Sequence, residues 1–144
     1  MIAPQKIHSY ELAFIFLLGC FIYSLLEIAA RGYTHWTMTL LGGIVGILLY
    51  WMHGTAPPHT LFLQAVSGAC MITALEMVVG VLDNLIMQWH VWSYREVPLN
   101  LFGQICLPFS ILWFFICIPA IGLCHAVRKR FQNGSDLKQQ SPSL

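Results

Sequence analysis

Two long stretches of this sequence contain no Asp, Glu, Lys or Arg: residues 32–75 and residues 97–127. An apolar helix needs about 17–25 residues to cross the hydrocarbon core of a bilayer. The first stretch is therefore long enough for two crossings, with a turn at residues 54–58, and the second holds one. Charged residues make up 9% of the chain, against about 25% in ordinary soluble domains. Such a chain cannot build a water-soluble surface.

The apolar runs predict an all-α fold, an integral membrane bundle of about four transmembrane helices. The predicted segments cover residues 12–30, 37–53, 61–82 and 101–127. Residues 1–131 are expected to form a single transmembrane domain, and residues 132–144 a disordered cytoplasmic tail. The partner that this composition implies directly is the lipid bilayer.

Small residues and prolines predict how two of the segments pack. Gly42, Gly43 and Gly46 give the second segment a surface of small residues, which allows close approach of a neighbouring helix. Pro108 and Pro119 lie within the fourth predicted segment, and each removes an intrahelical hydrogen bond. A kinked fourth helix is therefore predicted.

Tryptophans near the predicted segment ends indicate a belt at the membrane–water interface. Trp36 and Trp51 lie near the two ends of the second segment, and Trp89 and Trp92 lie in the connection between the third and fourth segments. Amphipathic rings favour the headgroup layer. Residues 88–95 are accordingly expected to lie along the interface.

Four crossings place both chain ends on one side, and basic residues favour the cytoplasm. Five basic residues lie on the side of the chain ends: Lys6, Arg128, Lys129, Arg130 and Lys138. Only Arg31 and Arg95 lie on the other side. The sequence therefore predicts a cell-membrane protein with both termini cytoplasmic. The short basic cluster Arg128-Lys129-Arg130 fits this orientation and gives no reason to expect nucleic acid as a partner.

Ionisable residues within membrane spans are costly and often functional. Glu27 and Arg31 are four residues apart at the end of the first apolar run, which begins after Glu11, and His35 could lie one turn further. This pair could be an interfacial salt bridge that ends the helix, or part of a polar site.

Glu76 lies deep in the third segment, with Asp83 about two turns later near the same face. It could be a neutral carboxyl group that binds a backbone carbonyl, Gln64 or Gln104. It could also belong to an ion, proton or polar-substrate site between helices.

Other chemistries have little support in the sequence. A metal site made of Glu27, His35, Glu76 and Asp83 has no recognisable ligand spacing, so no metal and no cofactor is expected. The nucleotide-binding and hydrolase motifs GxxxxGK[ST], HExxH, GxSxG and GxGxxG do not occur. The chain is therefore not expected to be an enzyme, and any ATPase would be a separate chain.

A set of motifs points to a known family. They are Tyr23-Ser24 with Glu27, then Glu76, Trp92-Ser93-Tyr94, the run Pro98-Leu99-Asn100-Leu101-Phe102-Gly103-Gln104-Ile105-Cys106-Leu107, and Ser110 with Trp113. With these motifs, over roughly residues 21–113, the chain resembles the bacterial family of CmpB-like membrane proteins described as ABC-transporter permeases of type IV. The run from Asn100 to Leu107 is the most specific part.

The resemblance implies a multi-helix membrane protein of the permease type and carries over no catalytic residue. In the aromatic motif the family reads Trp-Asp-Tyr-Ser, whereas this chain has Ser93 and Arg95 at the second and fourth positions. A role for that aspartate therefore does not transfer.

Two functional hypotheses follow. In the first, the chain is a permease-like or transport-associated subunit, possessing a polar site built by Glu27, Glu76, Asn100 and Gln104, with Arg31, His35 and Asp83 as further candidates. Because four helices enclose little space, a homo-oligomer or partner transporter subunits are expected. In the second, the chain is a structural or regulatory membrane protein whose buried polar residues only fix helix packing.

Overall fold

The computed structural model describes residues 6–55 and 60–140. The helices are α1 (Ser9–Arg31), α2 (Trp36–Thr55), α3 (Leu61–Gly80), which continues as a π-helical extension (Val81–Ile86), and α4 (Leu107–Gln140). Two short strands, β1 (Asn100–Leu101) and β2 (Ile105–Cys106), precede α4. Residues 56–58 of the turn predicted at residues 54–58, and the end of the chain at residues 141–144, lie outside the described residues.

The prediction of an all-α membrane bundle of about four helices is confirmed. Among the described residues, three helical segments are long and apolar enough to cross a membrane: Ser9–Arg31, Leu61–Ile86 and Leu107–Lys138. The fourth, α2, contains a shorter apolar segment, Trp36–Met52. All five cysteines are free thiols.

The four helices form two hairpins, in which α1 packs mainly on α2 and α3 mainly on α4. Glycines allow α1 and α2 to lie close together, as the small residues of α2 predict. A Cβ atom on Gly42 would lie 2.3 Å from Cβ of Tyr23 and 2.8 Å from the carbonyl oxygen of Gly19. A Cβ atom on Gly46 would lie 3.1 Å from the carbonyl oxygen of Ile15. Only glycine fits at Gly42 without moving its neighbours.

The fourth helix starts later than predicted, at Leu107 rather than at residue 101. The preceding residues form a hairpin in which β1 and β2 pair antiparallel, with Asn100 opposite Cys106. Pro108 therefore lies in the first turn of α4, where its missing N–H has no intrahelical partner to lose. Pro119 lies inside the helix as predicted.

Residues 132–140, which belong to the tail predicted to be disordered, are helical and continue α4. The ring of Phe131 contacts the rings of Tyr10 and Phe14 on α1, at 5.7 Å between centroids in both cases. This contact holds the start of the segment against the bundle, and helix propagation costs less than nucleation. The division into a transmembrane domain and a cytoplasmic tail stays a prediction.

The connection between α3 and α4 does not simply lie along the interface. Val91, Trp92 and Tyr94 are buried, because the side chain of Asn84 in the π-helical extension accepts from the backbone N–H of Val91 at 2.6 Å. The connection therefore folds back over the end of the bundle. Trp92 does not belong to the predicted interfacial belt, whereas Trp36, Trp51 and Trp89 are exposed.

The predicted orientation can be tested by labelling cysteines placed at Ser93 and Asn133, both of which are exposed. We expect Ser93→Cys to react with a membrane-impermeant maleimide in intact cells and Asn133→Cys to react only after permeabilisation. The unsubstituted chain, which includes the exposed Cys70, gives the background. The reverse pattern would place both termini outside.

Candidate functional site

Glu76 lies at the centre of the bundle, on the inward face of α3, and is 3% exposed. The hydroxyl group of Tyr23 on α1 donates to its Oε1 at 2.8 Å. The indole N–H of Trp113 on α4 donates to its Oε2 at 3.0 Å. Both carboxyl oxygens therefore accept a hydrogen bond from a neighbouring helix, an arrangement that suits an ionised carboxylate.

Glu27 and Arg31 form the salt bridge predicted from their spacing, with 3.1 Å between Nη1 and Oε2. The pair is largely buried, with side-chain exposures of 7% for Glu27 and 14% for Arg31. The guanidinium group also donates to the hydroxyl of Tyr94. It stands 5.3 Å from the ring centroids of both Trp92 and Tyr94. The folded-back connection thus covers the charge of Arg31. The pair is therefore buried, unlike an exposed salt bridge at a helix end.

Tyr94 is the part of this arrangement that lies outside the membrane-spanning segments. Burial raises the pKa of its hydroxyl group well above the ordinary value, although the nearby positive charge of Arg31 opposes that shift. The phenol therefore stays protonated at physiological pH and acts as a neutral hydrogen-bonding group toward Arg31.

These residues form one group, which we call the Glu76 cluster: Tyr23, Glu27, Arg31, Glu76, Tyr94 and Trp113. Glu27 and Arg31 are close enough to Glu76 to act on it electrostatically. The cluster contains two carboxyl groups and one guanidinium group, which forms its salt bridge with Glu27. If both acids are ionised, the cluster carries one net negative charge inside the bundle.

Asp83 and His35 belong to a second group, joined through Thr37. The hydroxyl of Thr37 donates to Oδ2 of Asp83 at 2.5 Å and lies 2.8 Å from Nδ1 of His35. His35 is also near the exposed Trp89, at 5.4 Å between ring centroids. The π-helical extension turns both Asp83 and Asn84 into the protein, and such bulges often occur at functional sites.

Asn100 and Gln104 hold the connection before α4 in place. Asn100 accepts from the N–H of Gly103 and donates to the carbonyl of Val97, so it stabilises the hairpin. Gln104 is 2% exposed and accepts from Nδ2 of Asn84 at 2.8 Å. The predicted four-residue site is thus divided: Glu27 and Glu76 lie together, while Asn100 and Gln104 bind other groups.

The four residues considered as metal ligands from the sequence lie in two separate groups. Glu27 and Glu76 lie in the Glu76 cluster, whereas His35 and Asp83 lie in the second group. Within residues 6–55 and 60–140, no three His, Cys, Asp or Glu side chains converge in an arrangement that could hold a metal ion.

Sequence reasoning did not assign roles to Tyr23, Trp113 or Glu11. Tyr23 precedes Glu27 by four residues, so helical spacing could have placed it on the same face. Glu11 is 3% exposed and accepts from the hydroxyl of Tyr50, and Arg128 lies 3.6 Å from it. This ion pair joins α1 to α4 at the opposite end of the bundle from Arg31.

Comparison with known proteins supports the resemblance seen in the motifs. No curated protein matches the chain, and no solved structure does. The model of one family, described as Putative ABC-transporter type IV, matches residues 14–140. That match covers most of the chain, including every residue of the Glu76 cluster, and the protein therefore belongs to this family of ABC-transporter-type membrane proteins.

Proposed function

We propose that the chain is a permease-like, transport-associated membrane subunit in which Glu76 takes up and releases a proton. The observation that supports this most directly is that the buried Glu76 accepts hydrogen bonds from two neutral donors, Tyr23 and Trp113, while the guanidinium group of Arg31 pairs with Glu27. A buried ion pair is neutral, but a further carboxylate leaves one charge without a fixed counter-charge in the cluster. A proton is the simplest group that can neutralise it reversibly.

The position of Glu76 suits such a role. It is contacted by Trp113 from its own hairpin and by Tyr23 from the other, so its charge affects the contact between the two hairpins. Protonation would weaken the charge-assisted hydrogen bonds from both donors. A change of charge at Glu76 can therefore change how the hairpins pack, which is what a transport cycle requires.

The proposed partners follow from the family and from the small size of the bundle. The family description names an ABC transporter, and the chain has no nucleotide-binding motif. We therefore propose that an ATPase on a separate chain, or a second copy of this chain, completes the transporter. Co-purification of the tagged chain from native membranes with an ATPase subunit would support this arrangement.

The proposal predicts that Glu76→Gln abolishes proton movement without unfolding the protein. Glutamine can accept from Trp113 through its amide oxygen and donate to the Tyr23 hydroxyl oxygen through its amide nitrogen, but it cannot titrate. The purified chain would be placed in liposomes that contain a pH-sensitive dye, and a pH gradient imposed. Wild type should move protons faster than empty liposomes, and Glu76→Gln should not.

Two further variants make the result specific. Glu96→Gln removes an exposed carboxyl group from the connection between α3 and α4 and should behave as wild type. Glu76→Leu leaves the hydroxyl of Tyr23 and the indole N–H of Trp113 without an acceptor, and should cost about 1–3 kcal/mol of stability. Wild-type proton movement by folded Glu76→Gln protein would refute the proposed role and favour a cluster that only fixes helix packing.

A further inference from the structure

A groove of about 360 Å³ runs between α1 and α4, which belong to different hairpins. At one end the rings of Tyr23 and Trp113 stack, with centroids 5.2 Å apart and an angle of 19° between the planes. From there the groove extends along α1 to Ile15 and along α4 to Cys124. It is lined almost entirely by apolar groups and is partly open. Both of its walls, α1 and α4, are long and apolar enough to cross a membrane, which places the groove at the depth of the bilayer.

The groove leads directly to the Glu76 cluster. Tyr23 and Trp113 line its inner end, and the same two residues donate hydrogen bonds to Glu76. Because the two rings stack on each other, a cation can approach only their outer faces. Donation to a carboxylate makes these rings richer in electrons, and the faces of electron-rich rings attract cations. When both acids are ionised, the net negative charge of the cluster adds to this attraction, because buried charges are weakly screened.

The size of the groove sets limits on its ligand. Its volume falls within the range of small-molecule sites, about 300–1,000 Å³. Its α1 side extends from Ile15 to Leu26, which is about 16 Å at 1.5 Å per residue. This is roughly half of the 30 Å hydrocarbon core. A compact apolar molecule fits these dimensions.

We infer that this groove binds organic cations with an apolar body, with the body between α1 and α4 and the positive group against Tyr23 and Trp113. The inference rests on the proposed function in one respect, namely that Glu76 can be ionised. It names the class of compound that this site would recognise, which is a lipophilic cation that enters from the bilayer.

Tetraphenylphosphonium is a suitable probe, and its binding to the purified full chain in detergent can be measured by isothermal titration calorimetry. Tetraphenylborate has the same shape and the opposite charge, so we expect it to bind much more weakly. Glu76→Gln should weaken binding of the cation by about tenfold, because the charge behind the aromatic pair is lost. Glu96→Gln should leave it unchanged.

A second pair of variants tests the location. Ala120 lines the groove, whereas Ala126 is exposed elsewhere on α4. We expect Ala120→Phe to obstruct the groove and reduce binding, and Ala126→Phe to have no effect. Leu123→Trp, at a more exposed groove position, replaces Ala120→Phe if that variant does not fold.

Several results would overturn the inference: equal binding of the cation and the anion, unchanged binding in folded Ala120→Phe or Leu123→Trp protein, or unchanged binding in Glu76→Gln protein. The inference would also be overturned if native mass spectrometry shows that a lipid or a second copy of the chain stays bound when the cation is added. Proton movement is measured without the probe, so the two proposals can fail separately. Glu76-dependent binding without proton movement would refute only the proton role.

Discussion

Replacing Arg31 with Met is expected to lower the free energy of unfolding by about 3–5 kcal/mol, the usual cost of removing one partner of a buried ion pair. Glu27 would keep a largely buried carboxylate without its guanidinium partner, which lies 3.1 Å away in the structure. The Tyr94 hydroxyl would lose its donor, and the rings of Trp92 and Tyr94 would lose the cation between them. If the unpaired Glu27 takes up a proton, its buried charge disappears, and this limits how much stability the variant can lose.

Thermal or denaturant-induced unfolding in detergent micelles would measure this effect. Arg95→Met is the matched control, since Arg95 is exposed, and such surface substitutions usually change stability by less than about 0.5 kcal/mol. The double variant Arg31→Met with Glu27→Met should recover much of the loss, because it leaves no unpaired charge. A double variant as unstable as Arg31→Met alone would show that Arg31 acts through Tyr94 and Trp92 and not through Glu27.

The sequence predicts the membrane helices well because the signal is simple. Runs without charged residues must be buried in lipid or protein, and a helix is the structure that satisfies its own backbone hydrogen bonds there. The salt bridge between Glu27 and Arg31 is likewise local, since residues four apart on a helix are neighbours. The close packing surface around Gly42 follows from the size of the residues alone.

The partners of Glu76 could not be read in the same way. Tyr23 and Trp113 are far from Glu76 in the chain: Trp113 meets it because α4 packs on α3, and Tyr23 because the two hairpins pack together. The same holds for Glu11 and Arg128, whose ion pair joins the first and last helices. Periodicity indicates which face of a helix is polar, but it does not indicate which helix lies opposite.

The start of α4 shows a different kind of difficulty. Residues 101–106 are apolar enough to extend the predicted helix, yet they form part of a hairpin. The side chain of Asn100 offers the backbone local hydrogen bonds that compete with a helix. Gly103 adopts a φ of +68°, which favours glycine and ends any helical run at that point. Composition alone gives too little weight to these two residues.

The Gly42→Ala variant is expected to destabilise the protein by about 1–3 kcal/mol, although it adds only one methyl group. The new Cβ atom would lie 2.3 Å from Cβ of Tyr23 and 2.8 Å from the Gly19 carbonyl oxygen. Neither atom is the flexible end of a side chain, so α1 and α2 must move apart. Because Tyr23 donates to Glu76, this movement should also disturb the Glu76 cluster.

Gly122→Ala is the matched control, because it adds the same methyl group to a helix where nothing lies within 4 Å of the new atom. Alanine favours a helix over glycine by up to about 1 kcal/mol, so this variant should be as stable as wild type or slightly more stable. Unfolding in detergent would compare the two. If the methyl group at Gly42 displaces Tyr23, Gly42→Ala should also reduce Glu76-dependent proton movement, whereas Gly122→Ala should not. Equal stability of the two variants would mean that α1 and α2 do not approach each other as closely as the glycines allow.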